Sequence, residues 1–278
     1  FHFVLEEGPC EAGVEFSATV LLRFGVALLG LRITVDQIQS LGLGSVALLA
    51  GGILFTLVFG IGVAKIFGRD IHFGALTGGA VAICGASAAL AIAAILPKST
   101  ESERDTIFVV IAVTTFSTIA MVLYPLIAGF MELDNHSAGV FLGGTIHDVA
   151  QVVGAGYSIS EQAGDISTVT KLFRVSMLVP VVIVLSVVFR SETKLTGRVP
   201  VPLFVLGFCV LVAINSGGIV PISIHSFLID FSRWCLVTAI AALGIKTSLK
   251  AMKAVGYQAV AIVLSESIFI ALWVLGGT

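Results

Sequence analysis

The fold is decided by residues 139–151, which read GVFLGGTIHDVAQ and place a Gly-Gly pair shortly before a His-Asp pair. Residues 74–87, GALTGGAVAICGAS, carry the same G-x-x-x-G-G pattern inside another apolar stretch. Small residues at every fourth position can form a tight helix-packing face. They can also mark a broken or re-entrant helix whose free backbone N–H groups meet a ligand in the middle of a membrane. The pattern alone leaves both interpretations open.

The composition places these stretches in a membrane. Of 278 residues, 57% are hydrophobic and 12% are charged, and the mean hydropathy is +1.09. A soluble domain has about 25% charged residues, so this chain could not cover a water-facing surface of its own size. A soluble globular protein, a disordered chain and a nucleic-acid-binding protein are excluded. The formal charge of −2 says nothing about partners.

Apolar runs set the number of predicted spans. An α-helical span needs about 20 mainly apolar residues. The chain holds about nine such segments, at 16–33, 42–67, 72–96, 105–131, 137–157, 166–190, 201–221, 225–245 and 254–276. The runs are too long and too continuously apolar for the strands of a membrane barrel. The sequence therefore predicts an all-α polytopic membrane protein, with residues 1–278 forming a single transmembrane domain.

Loop charges favour interrupted helices for the two Gly-rich segments. Lys65 and Arg69 precede the segment at 72–96, and Lys98 and Arg104 follow it, whereas the loops that flank 137–157 carry no Lys or Arg. Cytoplasmic loops are enriched in these residues. A simple crossing would put the two flanking loops on opposite sides, so the equal counts favour broken or re-entrant segments. We expect the interruptions near Cys84 and Gly85 in the first segment and near Gly144 and Thr145 in the second, with both breaks facing one cavity.

An internal similarity predicts inverted repeats. Residues 30–42 run in register with residues 244–256, and an odd number of spans separates them, which makes them antiparallel across the membrane. Inverted repeats are typical of secondary transporters. The two G-x-x-x-G-G segments do not fit the same duplication, because their order along the chain is reversed.

Ionisable groups inside a bilayer are costly, and each is a functional candidate by default. Asp230 and Arg233 can pair on one helix, and Lys171 and Arg174 can extend to the interface from the first turns of theirs. Glu266 has no evident partner and can be a protonated, buried acid. The candidates in the predicted spans are Arg23, His147, Asp148, Lys171, Arg174, Asp230, Arg233 and Glu266.

The His147-Asp148 pair is the sharpest chemical signal. Thr145, Asp148 and Gln151 are spaced to share one helical face, and the ordinary pKa of a histidine, about 6.5, suits a proton-coupled step. Adjacent side chains on a regular helix diverge by about 100°. A break at the Gly-Gly pair could turn one of the two toward a substrate and the other toward a neighbouring helix.

Enzymatic and metal-dependent functions are not supported. Residues 85–88, GASA, together with His147 could imitate an intramembrane serine protease, but the glycine expected after this string is absent. The H-E-x-x-H, Walker A and G-x-G-x-x-G motifs are also absent. The cysteines lack the spacing of a disulfide framework or a zinc site. They are Cys10, Cys84, Cys209 and Cys235. We therefore expect no enzyme activity, no cofactor and no metal.

Five strings resemble the YeiH-type sulfate exporter family of bacterial membrane transporters. They are LLRFGVALLGLRIT at 21–34, AICGASA at 82–88, GGTIHDVAQVV at 143–153, KLFRVSMLVP at 171–180 and AINS at 213–216. The resemblance implies a fold related to bile acid/sodium and cation–proton antiporters, in which a core domain moves against a scaffold. Many members have Glu where this chain has Asp148. Members usually begin with two further spans, which would give eleven; the start at Phe1 without Met fits an N-terminal loss.

These observations predict a secondary active transporter in the bacterial inner membrane that moves sulfate, sulfite or a related sulfur-containing anion by alternating access, with a proton as one candidate coupling ion. Helix N-termini at the breaks would bind the anion. Gly85, Ala86 and Ser87 would allow its close approach, and Arg174 or Arg23 would balance its charge. Thr145 and Gln151 would donate hydrogen bonds. The other predicted site residues are Cys84, Gly144, His147, Asp148 and Asn215.

Two alternatives stay open. The chain could be a sodium or proton antiporter, or an organic-anion symporter, with Asp148 as its cation site. It could also be a membrane scaffold without transport activity. The expected partners are the anion, the lipid bilayer, a coupling proton or sodium ion and, as an option, a second copy of the chain; nucleic acid is not expected.

Overall fold

The computed structural model describes residues 11–31, 34, 41–93, 95–97, 100–189, 203–218, 220–246 and 257–278. All regular structure in these ranges is helical. Helix α1 comprises Glu11–Phe16, a π-helical turn at Ser17–Leu21, Leu22–Leu28 and a 3₁₀ turn at Leu29–Leu31. The others are α2 (Gly42–Ile66), α3 (Ile71–Ala82), α4 (Ala86–Ala93), α5 (Thr100–Phe130), α6 (Asn135–Thr145), α7 (Val149–Ile159), α8 (Glu161–Ser176), α9 (Leu178–Val188), α10 (Leu203–Ser216), α11 (Ile222–Lys246) and α12 (Tyr257–Gly277).

Within the described ranges, four stretches of helix are long and apolar enough to cross a membrane. They are Gly42–Ile66, Arg104–Phe130, Glu161–Val188 and Tyr257–Leu275. The predicted all-α, multi-pass class is therefore confirmed. The count of nine spans stays a prediction. Most of the proposed repeat, residues 30–42 and 244–256, lies outside the described residues.

Both Gly-rich segments are interrupted, as the sequence predicted. The first break separates α3 from α4 at residues 83–85 and contains Gly85, whose φ of +64° lies in the left-handed region that favours glycine. The second break was expected at Gly144 and Thr145, but both residues lie inside α6. The helix ends only where Ile146 turns to extended backbone, with φ −61° and ψ 136°, so this break falls at residues 146–148.

The glycines before each break also serve as packing surfaces, so tight packing and an interrupted helix occur together in these segments. A Cβ on Gly143 would overlap the Ser167 carbonyl and lie 2.7 Å from Thr170 Cβ, because α6 sits directly on α8. On α3, a Cβ at Gly78 would lie 3.1 Å from Leu57 Cα of α2. Helix backbones approach this closely only where side chains are missing.

The helices form two groups. In the first, called the core group, α2 to α9 and α12 pack around the two breaks; in the second, α1, α10 and α11 pack on one another. The groups meet where α7 contacts α11 and where α8 contacts α10. Within the core group, Pro180 explains the joint between α8 and α9, since a proline cannot donate to the Ser176 carbonyl four residues earlier.

The start of α3 is fixed by an N-cap. The Asp70 carboxylate accepts a hydrogen bond from the Phe73 N–H at 2.9 Å, and His72 Nδ1 lies 3.0 Å from its other oxygen. Burial acts to raise the pKa of Asp70, but the Phe73 N–H, the His72 ring and the Arg69 charge outweigh it and hold this pKa below its ordinary value.

Replacing Asp70 with Ala should lower the free energy of unfolding in mild detergent by about 1 kcal/mol at pH 7, because the cap is lost. Because the pKa of Asp70 is lowered in the folded state, its carboxylate contributes fully to the free energy of unfolding at neutral pH. This contribution is lost as the pH falls below about 4, through the folded-state pKa. The difference between wild type and Asp70→Ala should shrink there. Asp70→Asn, which keeps a capping oxygen, is the control; equal loss in both variants would contradict the cap.

Candidate functional site

Arg174, near the end of α8, ties the two interrupted segments together. Its side chain is 1% exposed. Nε and Nη2 donate to the Ala82 carbonyl at 2.9 and 2.7 Å, and Nη2 also donates to Val81 at 2.8 Å. Nη1 donates to the carbonyls of Gly143 at 3.1 Å and Ile146 at 3.3 Å. A guanidinium has five N–H donors, and these five contacts use its full donor capacity.

Lys171 lies one turn earlier on α8 and makes a second bridge. It is fully buried, and Nζ donates to the Ile83 carbonyl at 2.6 Å and to the Ile146 carbonyl at 3.0 Å. These two carbonyls belong to different breaks. The interpretation that Lys171 and Arg174 extend to the membrane interface is wrong, because both side chains turn inward to backbone oxygens.

The bound carbonyls are those that helix geometry leaves without partners. The last four C=O groups of an α-helix have no intrahelical donor, and they carry about half a negative charge as the end of the helix dipole. Two such ends, those of α3 and α6, meet at α8. The two cations supply both the missing donors and the opposite charge.

The N–H groups of the second break have a separate acceptor. Ser117 of α5 accepts from the backbone N–H of His147 at 3.2 Å and of Asp148 at 3.0 Å. The breaks themselves touch, because a Cβ on Gly85 would lie 3.3 Å from His147 Cβ. His147 is buried, and its Nε2 lies 3.0 Å from the hydroxyl of Ser267 on α12.

Asp148 and Gln151 occupy the start of α7. Asp148 Oδ1 accepts from the N–H groups of Ala150 at 2.9 Å and Gln151 at 3.4 Å, which makes Asp148 the N-cap of α7. The Gln151 amide donates to the Thr118 hydroxyl at 2.9 Å, and its Oε1 has no hydrogen-bond partner in the described structure. Gln151 therefore uses one of its two amide N–H donors on Thr118 and leaves its Oε1 as a buried acceptor.

Two predicted ligands at the end of α6 have other contacts. The Thr145 hydroxyl donates to the Phe141 carbonyl of its own helix at 2.6 Å, so it is not a free donor as the sequence suggested. Gly144 is a packing position, since a Cβ there would lie 3.0 Å from Val274 and 3.1 Å from Leu49.

The start of α4 differs from that of α7 because Gly85 precedes it, and a glycine has no side chain that could accept hydrogen bonds from the first-turn N–H groups. Cys84 and Gly85 are buried in the break, Ala86 is half-buried, and Ser87 in the first turn is exposed. These four predicted site residues therefore lie together, at a helix N-terminus beside His147.

Arg23 and Asn215 lie in the other helix group. Arg23 is exposed on α1, so of the two arginines that the sequence offered as the balancing charge, Arg174 is the one that faces inward. Asn215 on α10 is half-buried and accepts from His225 Nε2 at 3.1 Å, while the same nitrogen lies 2.8 Å from the Leu31 carbonyl.

Sequence reasoning missed four residues that shape the site. They are Lys171 as a bridge, Ser117 and Thr118 on α5, and Ser267 on α12. A signal existed only for Lys171. It lies among Ser167, Thr168 and Thr170 on a helix whose polar residues are buried, and such a polar face inside an apolar protein indicates bound backbone or ligand.

Comparison with known proteins identifies one family for this chain. The chain matches the family model described as Conserved hypothetical protein 698 over residues 2–263. The chain belongs to this family. No solved structure matches it.

Relatives within the family are named as membrane proteins. UPF0324 membrane protein CT0845 of Chlorobaculum tepidum is 54% identical over 281 residues, covering 99% of this chain and 78% of the relative. UPF0324 membrane protein TauZ of Paracoccus denitrificans is 51% identical over 279 residues, covering 98% and 82%. RB0971 of Rhizobium meliloti is 51% identical over 282 residues, covering 100% and 82%. These names support a multi-pass membrane protein; the sulfate-exporter assignment stays a prediction.

Replacing Arg174 with Met should destabilise the protein by about 3–5 kcal/mol, because several buried carbonyls and the adjacent helix-end charges lose their partner. Arg174→Lys should recover part of this loss, since a lysine keeps the charge but has only three donors. Denaturant unfolding in detergent, followed by circular dichroism, measures both variants. Arg23→Met, at an exposed position, is the control and should change stability by less than about 0.5 kcal/mol. A loss in Arg174→Met no larger than this control would contradict the bridging role.

Proposed function

We propose that the chain is a secondary active transporter of a small anion, of the sulfate, sulfite or related sulfur-containing class. The anion binds beside the crossing of the two breaks, and transport occurs as the core group moves against α1, α10 and α11. The observation that supports this most is the pair of buried cations, Lys171 and Arg174, at the junction of two interrupted helices.

The charge balance at the crossing favours an anion over a cation. Two C-terminal and two N-terminal helix ends meet there, and their partial charges of about one half each cancel. The formal charges left are those of Lys171, Arg174 and Asp148, which give a net positive site when all three are ionised. Arg174 acts here through its field and not as a direct ligand, because its donors are used by carbonyls.

The same geometry argues against Asp148 as a cation site. One of its oxygens already accepts from two N–H groups of α7, and Lys171 is the principal charge acting on it. A sodium ion at Asp148 would lie close to this positive charge. The antiporter alternative is therefore the weaker of the two.

The start of α4 is the best place for the anion. An oxyanion can accept hydrogen bonds from the first-turn N–H groups of a helix. Gly85 has no side chain to block that approach, and the exposed Ser87 can donate from its hydroxyl. Gln151, in contrast, already uses one amide N–H on Thr118 and has a buried acceptor, Oε1, that would not bind an anion.

The two helix groups suit alternating access. They meet through α7 on α11 and α8 on α10, and α7 and α8 also carry Asp148 and the two cations. A rotation between the groups would therefore open one side of the crossing and then the other. In this proposal the chain is a transporter of the bacterial inner membrane and not an enzyme.

Purified protein in proteoliposomes should accumulate radiolabelled sulfate or sulfite, or a small sulfonate, above the level of protein-free vesicles. Competition among these anions would rank the substrates, and counterflow against preloaded sodium would test the antiporter. A scaffold would give no flux with any of them, and this outcome would end the proposal.

Replacing Ser87 with Asp should abolish anion binding while the protein stays folded. A carboxylate suits the first turn of a helix, but it would repel an anion at about 4 Å by several kcal/mol at an effective dielectric constant near 20. We expect binding to weaken at least about tenfold, measured by the ligand-induced thermal shift. Ser87→Asn has nearly the same shape without the charge and is the matched control. Equal affinities in both variants would place the anion elsewhere.

A further inference from the structure

Glu266 is a completely buried acid in the middle of α12. It is 0% exposed, and apart from Ser267 the buried residues of its helix are apolar, among them Ile262, Val263 and Ile270. The carboxyl group sits where α2 and α3 pack closely, since a Cβ added to Gly60 would overlap Glu266 Oε1 and lie 2.8 Å from Gly78 Cα. The missing side chains of these two glycines provide the space for the carboxyl.

In the described structure, the side chain of Glu266 forms a hydrogen bond with one hydroxyl group. Thr77 Oγ1 of α3 lies 2.7 Å from Glu266 Oε1, and it also lies 3.2 Å from the Phe73 carbonyl and 3.3 Å from the Gly74 carbonyl. Oε2 is buried and has no hydrogen-bond partner in the described structure. An ionised carboxylate with a single hydrogen bond is costly in an apolar interior.

No charge on the neighbouring helices compensates this acid in the described structure. Helix α12 packs on α2, α3, α5 and α6, and neither of the described ion pairs includes Glu266. The titratable residue that follows α6, His147, contacts α12 through Ser267 and not through Glu266. The other described titratable groups of these helices lie near helix ends or beside other side chains; they are Lys65, His72, Arg104, Asp105, Tyr124 and His136.

The Thr77–Glu266 contact fits both protonation states without movement of heavy atoms. With a proton on Oε1, the acid donates to Thr77 Oγ1, and the Thr77 hydroxyl proton turns to the Phe73 carbonyl. Without it, the Thr77 hydroxyl donates to Oε1. A hydroxyl group can rotate between these partners, so the dyad can bind and release one proton.

We propose that Glu266 is the proton-binding site of this transporter, with Thr77 as its switching partner. The inference rests on the proposed transport function and identifies its coupling ion. It places the proton on α12 and not on His147, because the Ile146 carbonyl directly before His147 already binds Lys171 and Arg174, and a protonated His147 would add a third positive charge there.

The site has a short connection to the crossing. Ser267 follows Glu266 and lies 3.0 Å from His147 Nε2 at the second break. Thr77 lies five residues before Ala82, whose carbonyl binds Arg174 at the first break. Ionisation of Glu266 would favour rearrangement of the contact between α3 and α12. Because α3 ends at the first break and α12 contacts His147 at the second, this rearrangement would reach the crossing.

The first experiment measures coupling in proteoliposomes whose membrane potential is clamped at zero. In wild type, a pH difference of one unit should drive about tenfold anion accumulation for each coupled proton. Glu266→Gln, which keeps shape and one hydrogen bond, should equilibrate the anion without accumulating it. His147→Gln tests the alternative proton site, and Glu132→Gln, at an exposed position, is the control that should keep the accumulation. Accumulation in Glu266→Gln equal to that of wild type would overturn the proposal.

The second experiment does not depend on variants or on transport. A hydrophobic carbodiimide reacts with buried, protonated carboxyl groups, and mass spectrometry locates the adduct. We expect modification at Glu266 in the wild-type protein in detergent, falling as the pH rises, and none at the exposed Glu132. No modification of Glu266 at any pH, or modification that does not change with pH, would overturn the proposal even if Glu266→Gln fails to fold.

The two experiments separate this inference from the proposed function. Absence of anion flux in wild type contradicts the transporter itself, whatever the labelling result. Proton-driven flux in wild type that is unchanged in Glu266→Gln contradicts only the assignment to Glu266. If His147→Gln alone loses the accumulation, the proton belongs to His147.

Discussion

The binding of backbone carbonyls by Arg174 and Lys171 is the interaction on which the rest of the structure depends. A helix that stops inside a membrane exposes C=O groups that no water can reach, and each one left unbound costs several kcal/mol. Two helices stop here, at Ala82 and Thr145. One guanidinium and one ammonium group on α8 bind both ends, so neither interruption can exist without α8 in its present position.

This requirement explains the distribution of small and polar residues around the breaks. Glycines such as Gly143 let α6 lie directly on α8, which brings the carbonyls within reach of the cations. The first-turn N–H groups of the helices after the breaks differ in their acceptors. Asp148 caps α7, whereas Gly85 leaves the start of α4 without a side-chain cap. The crossing is thus asymmetric, with one occupied helix N-terminus and one that an anion could fill.

Sequence patterns predicted the helices well because apolar length is a local property. The segment 42–67 matches α2 almost residue for residue, and the break at Cys84 and Gly85 follows from a glycine in a conformation that glycine favours. The partners of Arg174 could not be predicted, because they are carbonyls about 30 and 90 positions away that carry no side-chain signal. The inward direction of Lys171, like the outward direction of Arg23, depends on which helices surround it, and a single sequence does not contain that information.

The separation of the fixed charges from the buried acid has a consequence for transport. At the crossing, the ammonium group of Lys171 and the guanidinium group of Arg174 are held by backbone carbonyls in the described conformation, so the position of their field on an anion is fixed. Glu266 has no such compensation, and its ionisation would be strongly coupled to the arrangement of α3 and α12 around it. The crossing attracts the anion, whereas Glu266 is the group that changes charge. The transporter can therefore exchange a proton at Glu266 without neutralising the cations that attract the substrate. Residues 266–267 of α12 are the shortest covalent link between these two sites, since one contacts Thr77 and the other contacts His147.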